Sequence, residues 1–83
     1  MIVKFEVYFD GEYWCARGID DDIFTQGKTL DELMENIREA VEVHFEDEIE
    51  KGEEIVVLTL SQFEVSRVEQ TASSYWRKVD KTP

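Results

Sequence analysis

Three consecutive aspartates, Asp20, Asp21 and Asp22, are the residues whose type and spacing first suggest a chemical role. Carboxylates bind divalent cations or basic side chains, and a polar run, TQGKT at residues 25–29, follows them. The triplet lacks the D-x-D-x-D-G spacing and distal glutamate of a calcium loop, and TQGKT lacks the G-x-x-x-x-G-K pattern of a phosphate loop. The pattern leaves two alternatives: an acidic surface that binds a basic partner, with Asp20, Asp21 and Asp22 as candidate partner-binding residues, or a solvated loop.

The charge balance favours the same class of partner. Twenty acidic residues against nine basic ones give a net charge of −11. The excess lies in residues 1–63, with 17 acids and five bases, whereas residues 64–83 hold three acids and four bases. An acidic domain of this kind repels the phosphate backbone of nucleic acids, so we expect a basic protein as partner and no direct binding to nucleic acid.

Two further residues could take part in catalysis or metal binding. His44 is the only histidine and belongs to no H-E-x-x-H motif, so a packed or boundary histidine is expected rather than a zinc ligand. Cys15 is the only cysteine, lies in a predicted strand and has no histidine nearby in sequence, which argues against an activated thiolate. We expect no metal, no cofactor and no disulfide within the chain.

The length of the chain limits its organisation. Its 83 residues predict one domain over residues 1–65 and a polar tail over residues 66–83, partly mobile or folded as a short helix. A domain of this size buries a modest share of its surface, so we expect a dimer or higher oligomer. No apolar run is long enough for a membrane span and no signal peptide is recognisable, so a cytoplasmic location without a membrane partner is expected.

The first third of the chain is typical of three short strands. Ile2–Phe9 alternates between apolar and polar residues, and Asp10-Gly11 predicts a two-residue hairpin loop. A second strand is predicted over residues 12–17 and a third over residues 23–26. Within the first two strands, the residues predicted on the core face are Val3, Phe5, Val7, Phe9, Trp14 and Ala16, with Cys15 and Arg17 opposite.

A helix follows the third strand. Thr29 and Glu32 form a T-x-x-E capping box, in which the threonine oxygen accepts from the Glu32 amide and the glutamate accepts from the Thr29 amide. The helix is predicted to end at Gly52, with fraying over residues 46–50. Its apolar stripe comprises Leu30, Leu33, Met34, Ile37, Val41, His44 and Phe45.

The last predicted element is a strand over residues 55–63, IVVLTLSQF, which starts with apolar residues on both faces. Such a strand is either buried on two sides or covered by a partner chain, which again favours a dimer. The order β-β-β-α-β predicts an α+β fold of two layers. Because the helical crossover returns the fourth strand parallel to the first, the sheet order is 3-2-1-4, with the helix on one face.

Three motifs make the chain resemble the HicB antitoxin domain. They are DGEYWCA at residues 10–16, TQGKTLDE at residues 25–32 and ENIREAV at residues 35–41. The resemblance spans residues 3–63 and implies a partial ribonuclease H-like fold. It also implies a function, in which the protein binds a small basic HicA-like mRNA interferase and neutralises it by occlusion.

The resemblance leaves a second functional class open. Many HicB antitoxins carry a C-terminal DNA-binding domain, and the residues after Val65 are too few for one. The chain would therefore be the antitoxin domain without operator binding. The alternative is an orphan HicB-like module that self-associates and has no toxin partner.

The implied fold also requires a test for nuclease chemistry. A two-metal nuclease needs several converging carboxylates, for which Glu6 with Glu32 or Glu35 are the candidates. The predicted fourth strand supplies none, since residues 56–62 contain no acid. The set is incomplete, and we expect no enzymatic activity.

Overall fold

A computed structural model describes residues 1–66, which form a four-stranded mixed sheet with the main helix on one face. The sheet order is β3-β2-β1-β4, with β1 antiparallel to β2, β2 antiparallel to β3, and β1 parallel to β4. The predicted α+β class, sheet order and topology are confirmed. Apart from Ser66, the predicted C-terminal tail lies outside the described residues. The elements are β1 Ile2–Phe9, β2 Trp14–Gly18, β3 Phe24–Gly27, α1 Leu30–His44, α2 Glu46–Glu50 and β4 Val56–Ser61.

The loop between β1 and β2 is longer than predicted. Phe9 pairs with Trp14, so the loop has four residues and β2 starts two residues after the predicted position. The Asp10 side chain explains the difference, because its Oδ1 accepts the N–H groups of Glu12 at 2.8 Å and Tyr13 at 2.7 Å. A side chain that satisfies these two amides replaces the tighter backbone turn. β3 also begins and ends one residue later than predicted.

The core lies between β1, β2 and the inner face of α1, as the alternating pattern predicts. Phe9 is an exception, since it is half exposed and its ring lies against Trp14 at 5.1 Å between centroids. Leu30, Met34 and His44 also belong to the predicted stripe but are exposed, because the buried stripe is narrower. The core consists of Val3, Phe5, Val7, Ala16, Ile23, Leu33, Ile37, Val41 and Phe45.

The predicted single helix is divided at Phe45. Its backbone, at φ −111° and ψ 33°, leaves the helical region, while its N–H still donates to the Val41 carbonyl at 2.9 Å. Phe45 is buried in the core, so the break turns this ring inward. α2 is a separate short helix over the segment that was expected to fray. Within the described part of the chain, neither helix has the length and apolar composition needed to cross a membrane.

β3 and α1 approach each other closely at Gly27. A Cβ built on Gly27 would lie 2.7 Å from the Leu33 nitrogen and 3.0 Å from its Cα. Next to it, the Asn36 amide donates to the Gln26 carbonyl at 2.7 Å. The helix therefore rests on the backbone of β3, and a side chain at Gly27 would separate them.

The substitution Gly27→Ala is expected to lower the free energy of unfolding by about 1–3 kcal/mol, since α1 must shift to accept a methyl group. Urea unfolding followed by circular dichroism measures the change. Gln26→Ala is the matched control, because its side chain is exposed and its carbonyl remains available to Asn36. The control should stay within about 0.5 kcal/mol of wild type. Equal stability of Gly27→Ala and wild type would show that the close approach does not matter.

Candidate partner-binding surface

The aspartate triplet lies in a tight loop between β2 and β3. The Gly18 N–H donates to the Ile23 carbonyl at 2.8 Å, and the Ile23 N–H donates to the Asp21 carbonyl at 2.9 Å. A Cβ on Gly18 would lie 2.2 Å from the Asp21 carbonyl oxygen, so the closure requires glycine. These contacts fix the backbone from which the three carboxylates project.

The three aspartates do not converge on one point. Asp20 lies 3.8 Å from the ammonium group of Lys4, whose strand position is on the sheet face opposite α1. Asp22 instead lines a shallow groove on the helix side, together with Glu39 and His44 of α1. Asp21 is half buried between them. The triplet therefore extends across the rim of the sheet and does not surround a cation.

The structure also keeps the candidate nuclease acids apart. Glu6 projects from β1 on the open face of the sheet, which is the face opposite α1, and pairs with the Arg17 guanidinium. Glu32 belongs to the first turn of α1, on the other side of the sheet. Glu35 pairs there with Arg38 at 3.6 Å. Within residues 1–66 no group of three or more acidic, histidine or cysteine side chains is placed to hold a metal ion.

Glu32 has a structural task at the helix N-terminus. Its N–H donates to the Thr29 hydroxyl at 3.0 Å, which confirms half of the predicted capping box. Its carboxylate accepts from the Lys28 amide at 2.7 Å, whereas the Thr29 amide was expected. The reciprocal bond therefore lies one residue further back, and the cap still satisfies two amides.

The largest acidic surface lies on the helices. Residues 31–54 hold eleven acids and two bases. Like charges four residues apart destabilise a helix, so this arrangement costs stability and a basic partner would relieve it. The helical spacing of these acids already places them off the apolar stripe in the sequence, but partner binding was predicted for the aspartate triplet alone. The helical acidic face comprises the exposed residues Glu35, Glu39, Glu42 and Glu46.

β4 provides a surface of the opposite character. Val56, Leu58 and Leu60 are 57%, 45% and 51% exposed on the open face of the sheet, and Val57 is 37% exposed on the helix side. Burial of this strand on two sides was one of the two predicted alternatives, and within the described residues it is wrong. On the helix side the reason is that α1 packs over β1, β2 and β3 and leaves β4 only partly covered, and on the open face no described element packs against the sheet. The other alternative, a covering partner chain, stays a prediction.

Cys15 is buried, although it shares the open face with Tyr8 as predicted. Its thiol donates to the Asp10 carboxylate at 3.6 Å. Burial raises the pKa of the Cys15 thiol, and the negative charge of Asp10 raises it further. The N–H groups of Tyr13 and, to a smaller extent, Glu12 lower the pKa of Asp10, which keeps that carboxyl charged. The thiol therefore stays protonated at neutral pH and is a poor nucleophile.

Comparison with known proteins gives one partial similarity. A protein of Archaeoglobus fulgidus described as "UPF0150 protein" is 47% identical over 34 residues, which are 41% of this chain and 52% of that protein. The match thus spans about half the length of the relative, and its description states no activity. No protein family model matches the chain. No solved structure matches it either.

Replacing Asp10 by asparagine is expected to lower the pKa of Cys15, because the neighbouring negative charge is removed. Burial, the larger cause, remains, so the pKa should stay above the ordinary 9.0. The alkylation rate of the thiol as a function of pH measures this. Glu12→Gln is the control, since it makes the same charge change in the same loop and should leave the pKa unchanged. An identical pH profile for Asp10→Asn and wild type would contradict this account.

The lowered pKa of Asp10 also predicts a pH-dependent part of stability. The stability that these hydrogen bonds to Asp10 contribute is fully present above the ordinary aspartate pKa of 3.8. It is lost as pH falls through the lower pKa of Asp10 in the folded chain, because protonation weakens the bonds from the N–H groups of Tyr13 and Glu12. The stability difference between wild type and Asp10→Asn should therefore shrink between about pH 5 and pH 2. Urea unfolding at several pH values measures it, and a difference independent of pH would be contrary to expectation.

Proposed function

We propose that this chain is a HicB-like antitoxin that binds a small basic HicA-type mRNA interferase and neutralises it by occlusion. The observation that carries the proposal is the charge of the folded body. Residues 1–66 hold 18 acids and five bases, with most of the excess on the helical layer. A surface of this kind steers a basic protein toward it and repels the RNA that the partner would otherwise bind.

The rim formed by β3 and the adjacent part of α1 suits such a partner best. Asp22 and Glu39 line the same groove there, so the aspartate loop continues into the helical acidic face. Phe24 and Val43 also line the groove and are 56% and 77% exposed. Exposed apolar side chains beside acids offer a basic protein both contact area and charge complementarity. We assign partner binding to Asp20, Asp21, Asp22 and this β3 rim.

The motifs that resemble the family support the proposal from another direction. DGEYWCA covers the Asp10 loop and the start of β2, and TQGKTLDE covers the end of β3 and the helix cap. Both have local structural tasks here, in the amide bonds to Asp10 and in the Thr29 cap. The sheet order β3-β2-β1-β4 also agrees with the fold that the resemblance implies.

A second candidate function rests on a different observation. β4 is uncharged and exposed, which suits a module that self-associates and has no toxin. The two candidates differ in the partner they require. A reading frame for a small basic protein beside the gene would favour the antitoxin.

Affinity purification of the tagged full chain from its native host, followed by mass spectrometry, tests the proposal. The expected result is a small basic protein that cleaves RNA when it is separated from this chain and stops when the chain is added back. Recovery of this chain alone, across several growth conditions, would contradict the antitoxin function. RNA cleavage that the added chain leaves unchanged would contradict it as well.

The triple variant Asp20→Asn, Asp21→Asn and Asp22→Asn is expected to weaken toxin binding about tenfold, mainly through a slower association rate. Titration of the RNA-cleavage activity with each variant measures the change. The matched control is Glu50→Gln, Glu53→Gln and Glu54→Gln, which makes the same charge change in the segment before β4. The control should change affinity about twofold, since it alters only long-range attraction. Equal effects of the two triples would show that net charge, and not the loop, is recognised.

A further inference from the structure

We infer that β4 joins two copies of this chain, which pair antiparallel along their free β4 edges around a twofold axis at Leu58. The inference does not depend on a toxin, because it concerns the opposite edge of the sheet from the β3 rim. The joined sheet would contain eight strands in one layer. Its two outer edges would be the β3 strands, so both proposed toxin-binding rims would stay accessible.

The backbone of β4 determines which groups are available for pairing. The N–H of Val56 donates to the Met1 carbonyl and the N–H of Gln62 donates to the Val7 carbonyl, both at 2.9 Å. Because the direction alternates along a strand, the N–H and C=O groups of Val57, Thr59 and Ser61 point away from β1. Within residues 1–66 no strand pairs with that edge. It is therefore a template for another strand.

The side chains of β4 lack the usual protection of an exposed edge. Proteins commonly protect edge strands with lysine, proline, a bulge or inward-pointing charges. The segment IVVLTLSQF, residues 55–63, has no charged residue and no proline in a chain that is 35% charged. A strand without these devices, exposed on both faces, is expected to have a partner.

Charge and symmetry favour a second copy over a basic partner at this edge. An uncharged strand has no acid for a basic protein to recognise, whereas its apolar open-face residues Val56, Leu58 and Leu60 would meet the same apolar residues of a second copy. In the antiparallel arrangement centred on Leu58, Glu54 lies opposite Gln62 of the second copy, so neither Glu54 nor Glu64 lies directly opposite its own copy. Parallel pairing would place each of them beside its own copy, where like charges repel.

One register satisfies both the backbone and the side chains. With Leu58 opposite Leu58 of the second copy, Val57 lies opposite Thr59, and these are the residues with outward N–H and C=O groups. They would form the hydrogen-bonded pairs, and Leu58 would form the closer pair without hydrogen bonds. Val56 would lie opposite Leu60, which produces one continuous apolar row on the open face.

The helix side adds a second area of contact. A groove of about 540 Å³ lies between the helices and β4, and its lining includes Met34, Ile49 and Val57. These three residues are 43%, 41% and 37% exposed. A twofold axis perpendicular to the sheet keeps the helices of both copies on one side, so the two grooves would adjoin. The interface would then cover apolar surface on both faces of the joined sheet.

Sedimentation equilibrium of the purified full chain tests the inference without any toxin. We expect a dimer, whose dissociation constant falls as salt is added because the acidic bodies repel each other. Leu58→Glu should weaken the dimer about 100-fold, since like charges would meet at the axis. In its own chain the new glutamate would lie opposite Lys4, so the subunit should still fold, as circular dichroism would verify. A monomer in the wild-type chain would overturn the inference.

Leu30→Glu is the matched control, because Leu30 is also 45% exposed but begins α1 instead of lying in β4. It makes the same charge change and should leave the dissociation constant within about twofold, since net charge acts only through screened repulsion. An equal rise of the dissociation constant in both variants would show that net charge causes the loss, and it would overturn the β4 interface. An unchanged dissociation constant for Leu58→Glu would overturn the β4 interface as well.

Oxidative cross-linking tests the register directly and does not depend on a destabilising variant. Leu58→Cys should form a disulfide across the axis, because the two residues are directly opposed. Val56→Cys should not, since its two copies would be offset by four residues, about 13 Å, beyond the roughly 7 Å limit for a disulfide. Wild type, with Cys15 buried, gives the background. Cross-linking of Val56→Cys as efficient as that of Leu58→Cys would overturn the register.

Discussion

One helix packs on part of a four-stranded sheet, and the strand surface that it leaves exposed determines most of the contacts available to partners. An α-helix with its side chains is about 10–12 Å wide and strands lie about 4.8 Å apart, so one helix covers about two to three strands. α1 has 15 residues, is fixed against β3 at Gly27 and packs on the buried side chains of β1 and β2. β4 therefore keeps the apolar composition of a core strand without a complete layer above it.

The two edges of the sheet consequently differ in chemistry. At the β3 edge the aspartate loop meets the helical acidic face, and acids surround a few exposed apolar side chains. At the β4 edge the strand has no charge and offers its backbone and both faces. Salt should act in opposite directions on the two proposed contacts, since it screens attraction at the first and repulsion between acidic bodies at the second. A single domain of this size could then hold two partners at once.

The sequence predicted the features that depend on local periodicity and on topology. The alternation of β1, the Thr29 cap and the sheet order were all readable, because strand period, capping chemistry and crossover handedness act independently of the remaining fold. The prediction of a two-residue turn was wrong, since the Asp10 side chain accepts hydrogen bonds from two amides of a longer loop. The helix break at Phe45 was missed, because the stripe continues in sequence and only tertiary packing turns the ring inward. The directions of Asp20 and Asp22 depend on the closure at Gly18, which the sequence pattern does not reveal.

Amide hydrogen exchange, followed residue by residue, tests the central claim that the two edges bind different partners. In the purified chain the amides of Val57 and Thr59 should become protected as protein concentration rises, because they hydrogen-bond to a second copy. The outer amides of β3 should exchange quickly until a basic partner is added. Rapid exchange of Val57 and Thr59 at every concentration, or protection of the β3 edge in the chain alone, would contradict this division of the sheet.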